Sequence, residues 1–119
     1  METANKDTAS KTLQKADADA KARRSAIQKA LSAFIVLGNA LEVRLMDSAD
    51  PTIESEANAW NVEVMIYVEQ TLGEAFATRL NSGAGIGGFI KHAPTELRQK
   101  IYTSTYIRIV RLQEFLKEA

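Results

Sequence analysis

A chain of 119 residues, 45% hydrophobic and 25% charged with zero formal net charge and no cysteine, is the size of one ordinary domain and too apolar for wholesale disorder. The lack of cysteine excludes a disulfide framework, a thiolate zinc site and a cysteine nucleophile. Net neutrality argues against an unselective nucleic-acid binder held by counterion release.

Charge is unevenly spread. Residues 1–30 sum to +3, residues 31–75 to −7 and residues 76–119 to +4. The expectation is an acidic second helix packed beside a basic last one, with charges complementary at the rim.

Residues 1–26 are rich in Ala, Lys, Asp, Ser and Thr, with Leu13 as the only large aliphatic side chain after Met1. Ala16, Ala18, Ala20 and Ala22 favour helix without supplying a core face. This stretch reads as an N-terminal extension, helical or disordered, ahead of a single helical domain over 27–119. Lys21, Arg23 and Arg24 imitate a signal peptide, but the basic residues start late and no small-residue cleavage site follows, so a cytoplasmic protein is expected. The longest apolar stretch, Ala30 to Leu41, contains Ser32 and Asn39. It is shorter than the roughly 20 residues of a bilayer-spanning helix, so no membrane is expected as a partner.

From Ile27 the pattern changes. Ile27, Leu31, Phe34, Gly38, Leu41 and Leu45 recur at steps of three and four and describe one buried helical face. The spacing predicts a first helix over about 10–47. At ~1.5 Å per residue it is about 57 Å long, against about 35 Å for a compact domain of this length. Its first half must fray, bend or project.

Asp50-Pro51 marks a boundary, with Asp50 placed to cap and Pro51 at the first helical position. Ile53, Ala57, Trp60, Val64, Val68 and Leu72 then form a second stripe, which Val62, Met65 and Ile66 widen, over 51–72. Gly73 interrupts it. A short helix over 74–81 presents Phe76 and Leu80 and stops at Asn81 and Gly83. Residues 82–93 form a Gly-rich loop in which Ile86, Phe89 and Ile90 are the expected anchors. Pro94 opens the last helix, 94–117, whose stripe is Leu97, Ile101, Ile109, Leu112 and Phe115 or Leu116. The predicted fold is all-α: three main helices and a short one.

The run Trp60…Val64…Leu72-Gly73-Glu74-Ala75-Phe76…Arg79-Leu80…Gly85, with Arg111-Leu112-Gln113-Glu114-Phe115-Leu116 in the last helix, resembles a recurrent helical segment of uncharacterised bacterial proteins. The resemblance covers about residues 53–118. It implies a helical fold and a bacterial or phage origin, and carries no assigned activity.

Few residues suggest chemistry. Gly83-Ala84-Gly85-Ile86-Gly87-Gly88 satisfies the dinucleotide-binding expression G-x-G-x-x-G, but a helix precedes it where that motif needs a strand. The loop is read as an interhelical turn, with an anion site beside Lys91, His92 and Pro94 as the sharper alternative. His92 is the sole histidine, so one chain offers no histidine pair for a metal. Glu63, Glu69 and Glu74 read as a solvated face, and Trp60 as a core anchor rather than a stacking platform. Arg98, Lys100, Arg108 and Arg111, near Tyr102 and Tyr106, are either ion-paired to the acidic helix or an anionic-ligand patch.

No catalytic residue, metal or cofactor is expected. The function expected is a non-catalytic protein–protein interaction or self-association module that uses the N-terminal extension, with a homo-oligomer or another protein as partner. The alternative is a protein that binds a small anionic ligand, nucleotide or phosphate-like, through Lys91, His92, Arg108 and Arg111. Nucleic acid is the weakest reading.

Overall fold

The computed structural model describes residues 2–47, 49–86 and 92–119, with side chains from Lys11 onward. It contains four helices: α1 (Glu2–Asp47), α2 (Ile53–Leu72), α3 (Glu74–Leu80) and α4 (Glu96–Glu118). The fold is the all-α bundle expected, with no strand among the described residues. α1 packs mainly along α4 and also against α2, while α3 touches α2 and α4 only.

α1 is a 46-residue helix, about 69 Å at ~1.5 Å per residue. The molecule measures 73 × 29 × 19 Å with a radius of gyration of 19.6 Å, against about 13.5 Å for a compact chain of this length. Of the three outcomes open to an over-long helix, α1 takes projection. Every residue from Lys11 to Ala26 is exposed. Further along α1, Arg23 donates to the Thr71 carbonyl of α2 at 3.3 Å, and Gln28 to the carbonyl of Ala119, just past the end of α4, at 3.4 Å.

The α1 stripe behaves as its spacing requires: Leu31, Leu41 and Leu45 are buried, and Ile27 and Phe34 are partly buried against them. Gly38 lies in the same stripe because Trp60 occupies the room a side chain would need. A Cβ at Gly38 would stand 2.6 Å from the Trp60 ring and 3.0 Å from Ile109. The indole Nε1 donates to the Phe34 carbonyl at 3.1 Å, giving a buried tryptophan the polar partner it needs. Trp60 is a core anchor, joining α1, α2 and α4 at one point.

The connection after α1 is held from two directions. The Asp50 carboxylate accepts the Thr52 backbone N–H at 2.9 Å and the Thr52 hydroxyl at 2.8 Å. It therefore closes the turn at Pro51-Thr52 instead of capping α2: the N-cap is Thr52, α2 begins at Ile53, and Pro51 lies ahead of the helix and not at its first position. These two bonds lower the Asp50 pKa from its ordinary value, with Arg44 and Arg98 adding to the effect. From α4, Arg98 reaches across to the Glu54 carboxylate at 3.3 Å and to the carbonyls of Leu45 and Asp50, both at 3.4 Å. The acidic start of α2 is thus met by α4 through Arg98 and by α1 through Arg44, which pairs with Glu56. Sequence alone pointed only to the basic last helix.

Gly73 ends α2 with φ +100°, donates its N–H to the Val68 carbonyl at 3.0 Å and opens α3. The positive φ is cheap only for glycine. α3 buries Leu80 and lays Phe76 edge-on to Phe115, centroids 5.1 Å apart. Arg79 covers both rings and bridges Glu118 at 3.1 Å.

α4 starts later than Pro94 suggested. Thr95 is the N-cap, its hydroxyl accepting the Arg98 N–H at 3.1 Å. Leu97 consequently turns outward and is 53% exposed, so the expected stripe begins at Ile101. Val62 and Ile66 are also corrections: they are exposed rather than widening the core face of α2, because α3 and α4 cover its other side.

α1 is longer than the Ala30–Leu41 stretch on which the expectation of no membrane partner rested. Within Lys11–Asp47 an 18-residue window is long and apolar enough to cross a membrane by composition alone. Core helices and signal sequences pass the same test; Leu31, Leu41 and Leu45 of α1 are core, but only 22% of the window is buried.

Candidate functional site

α2 and α4 lie side by side and leave a groove between them. One lobe, about 410 Å³, is lined by Asn58, Asn61, Val62, Met65 and Ile66 of α2 with Arg108 of α4. The second, about 260 Å³, shares Asn58, Asn61 and Arg108 and adds Leu97, Lys100 and Ser104. A third, about 60 Å³, lies between Arg108 and the end of α3 at Leu80 and Asn81. Arg108 belongs to all three.

The groove floor is polar for a reason legible in the helix registers. Asn61 falls among the buried residues of α2, and Thr105 falls between Ile101 and Ile109 on the buried face of α4. The Thr105 hydroxyl donates to the Ile101 carbonyl at 2.8 Å and accepts the Asn61 amide at 3.1 Å. The same amide also donates to the Ala57 carbonyl at 2.9 Å, which turns the Asn61 oxygen outward. Arg108 takes that oxygen at 2.7 Å and the Asn81 oxygen at 2.9 Å.

Arg108 is thus held by two neutral amides, and among the described residues no carboxylate pairs with it. Its Nε is buried without a hydrogen-bond partner. Desolvation pushes the guanidinium pKa below its ordinary value, the signature of a charge that burial penalises without compensation. An unpartnered buried donor costs about 1–3 kcal/mol.

Arg111, one turn on, is placed differently. It donates to the Ser82 carbonyl at 3.0 and 2.9 Å, to the Ala84 carbonyl at 2.6 Å and to the Glu114 carboxylate at 3.0 Å. The described part of the Gly-rich loop therefore aims carbonyl oxygens at a cation, whereas an anion site needs converging N–H groups. A Cβ at Gly83 would sit 3.2 Å from Ile107, and Gly85 adopts φ +75°, so this stretch is a tight turn against α4.

His92 is exposed and lines a different hollow, about 590 Å³, with Asn39, Glu42, Val43, Met46 and Tyr102. It shares no lining residue with the Arg108 groove. Lys91, Phe89 and Ile90 lie outside the described residues. Of the four residues singled out from sequence, Arg108 and Arg111 share a face of α4, and His92 stands apart from both. Arg98 serves the α1–α2 connection, and Lys100 is an exposed residue at one end of the groove. Tyr102 is buried and Tyr106 partly so, stacked at 6.4 Å on the α4 face.

Sequence reasoning missed Asn61, Asn81 and Thr105. A polar residue inside an apolar helical stripe was the available signal for Asn61 and Thr105. Asn81 was visible only as a stop signal. Among the described residues no three His, Asp or Glu side chains gather as a metal-ion set.

A scan of protein-family models, a search of curated proteins and a search of solved structures each find no match to this chain.

Proposed function

We propose that this chain is a non-catalytic helical module of the cytoplasm that associates with a second copy of itself through α1. The observation that carries this reading is the projection of α1, in which no residue from Lys11 to Ala26 is buried. A helix gains little stability from propensity alone over such a length and normally obtains it by packing.

A second feature supports the same partner. On the outer side of α1, Ala33, Val36, Ala40 and Val43 follow steps of three and four and all are exposed, Val36 by 70% and Val43 by 62%. Leu37 stands exposed beside them. Alternating alanine and valine make a shallow apolar stripe that lets two helices approach closely. Pairing two such helices covers a continuous run of apolar surface that a lone monomer leaves wet.

Native mass spectrometry tests this directly. The full-length protein is expected as a defined oligomer. Deleting residues 2–22, which removes the projection but spares the Arg23 bond to Thr71, combined with Val36→Glu, should give a folded monomer. A monomeric full-length protein refutes the reading, as does an oligomer that survives both changes. The anion-binding alternative is favoured by one observation only, the uncompensated charge of Arg108.

A further inference from the structure

The α2–α4 groove stands independently of α1, since no α1 residue lines its lobes. Its chemistry combines two halves. One is the Arg108 guanidinium, a planar fork with five N–H donors, which donates to only two neutral amide oxygens and has no carboxylate partner among the described residues. The other is an apolar wall: Val62, 58% exposed, with Ile66 and Leu97 also exposed on the opposite rims, and Met65 between Val62 and Ile66. Apolar side chains standing open beside an unpaired cation are costly on both counts in the free protein.

We propose that this groove binds an aliphatic monocarboxylate, with Arg108 holding the carboxylate and Val62, Met65 and Ile66 receiving the chain. A carboxylate matches the guanidinium fork in shape and carries one charge to its one. A phosphate dianion calls for more positive charge than a single buried-side cation with Lys100 at the far end. Length argues for a small ligand over a protein. From Asn58 to Ile66 the α2 wall runs about 12 Å at ~1.5 Å per residue, the reach of a short alkyl chain, and ten residues line the two main lobes, where a standard protein interface takes about 20–30 residues a side. The two main lobes, about 410 and 260 Å³, fall together within the usual range of small-ligand sites, about 300–1,000 Å³.

The experiment is NMR titration of the full-length protein with octanoate, reading the Arg108 Nε–H and the Val62 and Ile66 methyl resonances. Acetate, octanol and inorganic phosphate serve as the comparison ligands. Octanoate should give a saturable shift at all three residues. Acetate and octanol should each bind at least about 10-fold more weakly, the factor that loss of roughly 1.4 kcal/mol represents, and phosphate should leave the Nε–H unmoved. Arg108→Gln should abolish the shifts. Because Arg108 also holds Asn61 and Asn81, a second variant, Ile66→Glu, sets a like charge at the exposed rim without touching the core, and it too should abolish binding. The proposal is overturned by any one of three results: no saturable shift with octanoate, equal binding of acetate, octanol or phosphate, or octanoate shifts that persist in Ile66→Glu. None of these outcomes depends on whether α1 self-associates.

Discussion

Gly38 is the residue on which the helix packing turns. Its missing side chain admits the Trp60 ring, and the nearest ring atom would meet a Cβ at 2.6 Å. Trp60 is 2% exposed and fixed by its bond to Phe34, so the ring cannot give way as a flexible chain end would. Gly38→Ala should therefore destabilise the fold despite a gain of about 1 kcal/mol in helix propensity, because overpacking a tight site costs about 1–3 kcal/mol. In thermal melts this should appear as a lowered Tm; a Tm at or above that of the parent protein would mean that α1 and α2 separate easily at this point. The spacing of the stripe showed that Gly38 faces inward. That it faces an indole depends on which residue of α2 is opposite, and no local pattern encodes that. Arg108 is a similar case: its sequence neighbours identify a basic helix face, whereas its two amide partners lie 47 and 27 residues away.

At the scale of elements, the α1–α2 connection is where charge does structural work. Arg98 has a side chain only 11% exposed and joins α4 to Glu54 and to two carbonyls of the connection. Arg98→Ala should cost about 2–3 kcal/mol, since it strands a carboxylate and partly buried carbonyls together. Glu54→Gln keeps an acceptor in place and should cost clearly less in the same denaturant titration. Asp50 adds a pH dependence whose sign follows from its lowered pKa. A carboxyl with a folded-state pKa below its unfolded value stabilises the fold above the unfolded value, and this contribution is lost as pH falls through the folded one. Asp50→Asn should therefore be less stable than the parent protein at neutral pH, with the gap closing as pH drops below about 4. A gap that stays constant through the acid range would show that Asp50 does not cap the turn as a carboxylate. The Pro-containing boundary was legible beforehand, but the job of Asp50 was not: it was expected to cap a helix opening at Pro51, and it instead closes the turn before Thr52, the N-cap of α2. The role of Arg98 was open, because a basic residue on a helix face suits an ion pair and a ligand equally until its neighbours are known.

For the whole molecule, the decisive property is the mismatch between one helix and the body it belongs to. Deletion of residues 2–22 should lower the solution radius of gyration of the monomeric unit to about 13 Å, the value for a compact chain of the remaining length. Small-angle scattering measures this, and the Tm of the body should change little because the described side chains of the deleted span, Lys11 to Ala22, are all exposed. A large loss of Tm would place part of the folding core in the projection.

Helix number, helix type, the breaks near Pro51, Gly73 and Asn81, and the inward stripe of α1 with most of that of α2 were already present in the order of the residues, because periodicity and capping act within a few positions along the chain. The same local character made the excess length of α1 plain before any packing was known. Which apolar residues stay outside was settled only by assembly: Val62, Ile66 and Leu97 fit a buried stripe by spacing and are exposed because α3 and α4 occupy one side of α2 and Thr95 sets the start of α4. The polar floor at Asn61 and Thr105, the binding of Arg111 to loop carbonyls, and the isolation of Arg108 from every described carboxylate likewise come from residues brought together across 27 to 47 positions of chain. Hydrogen bonding and desolvation depend on neighbours in space, and only the packed helices supply those.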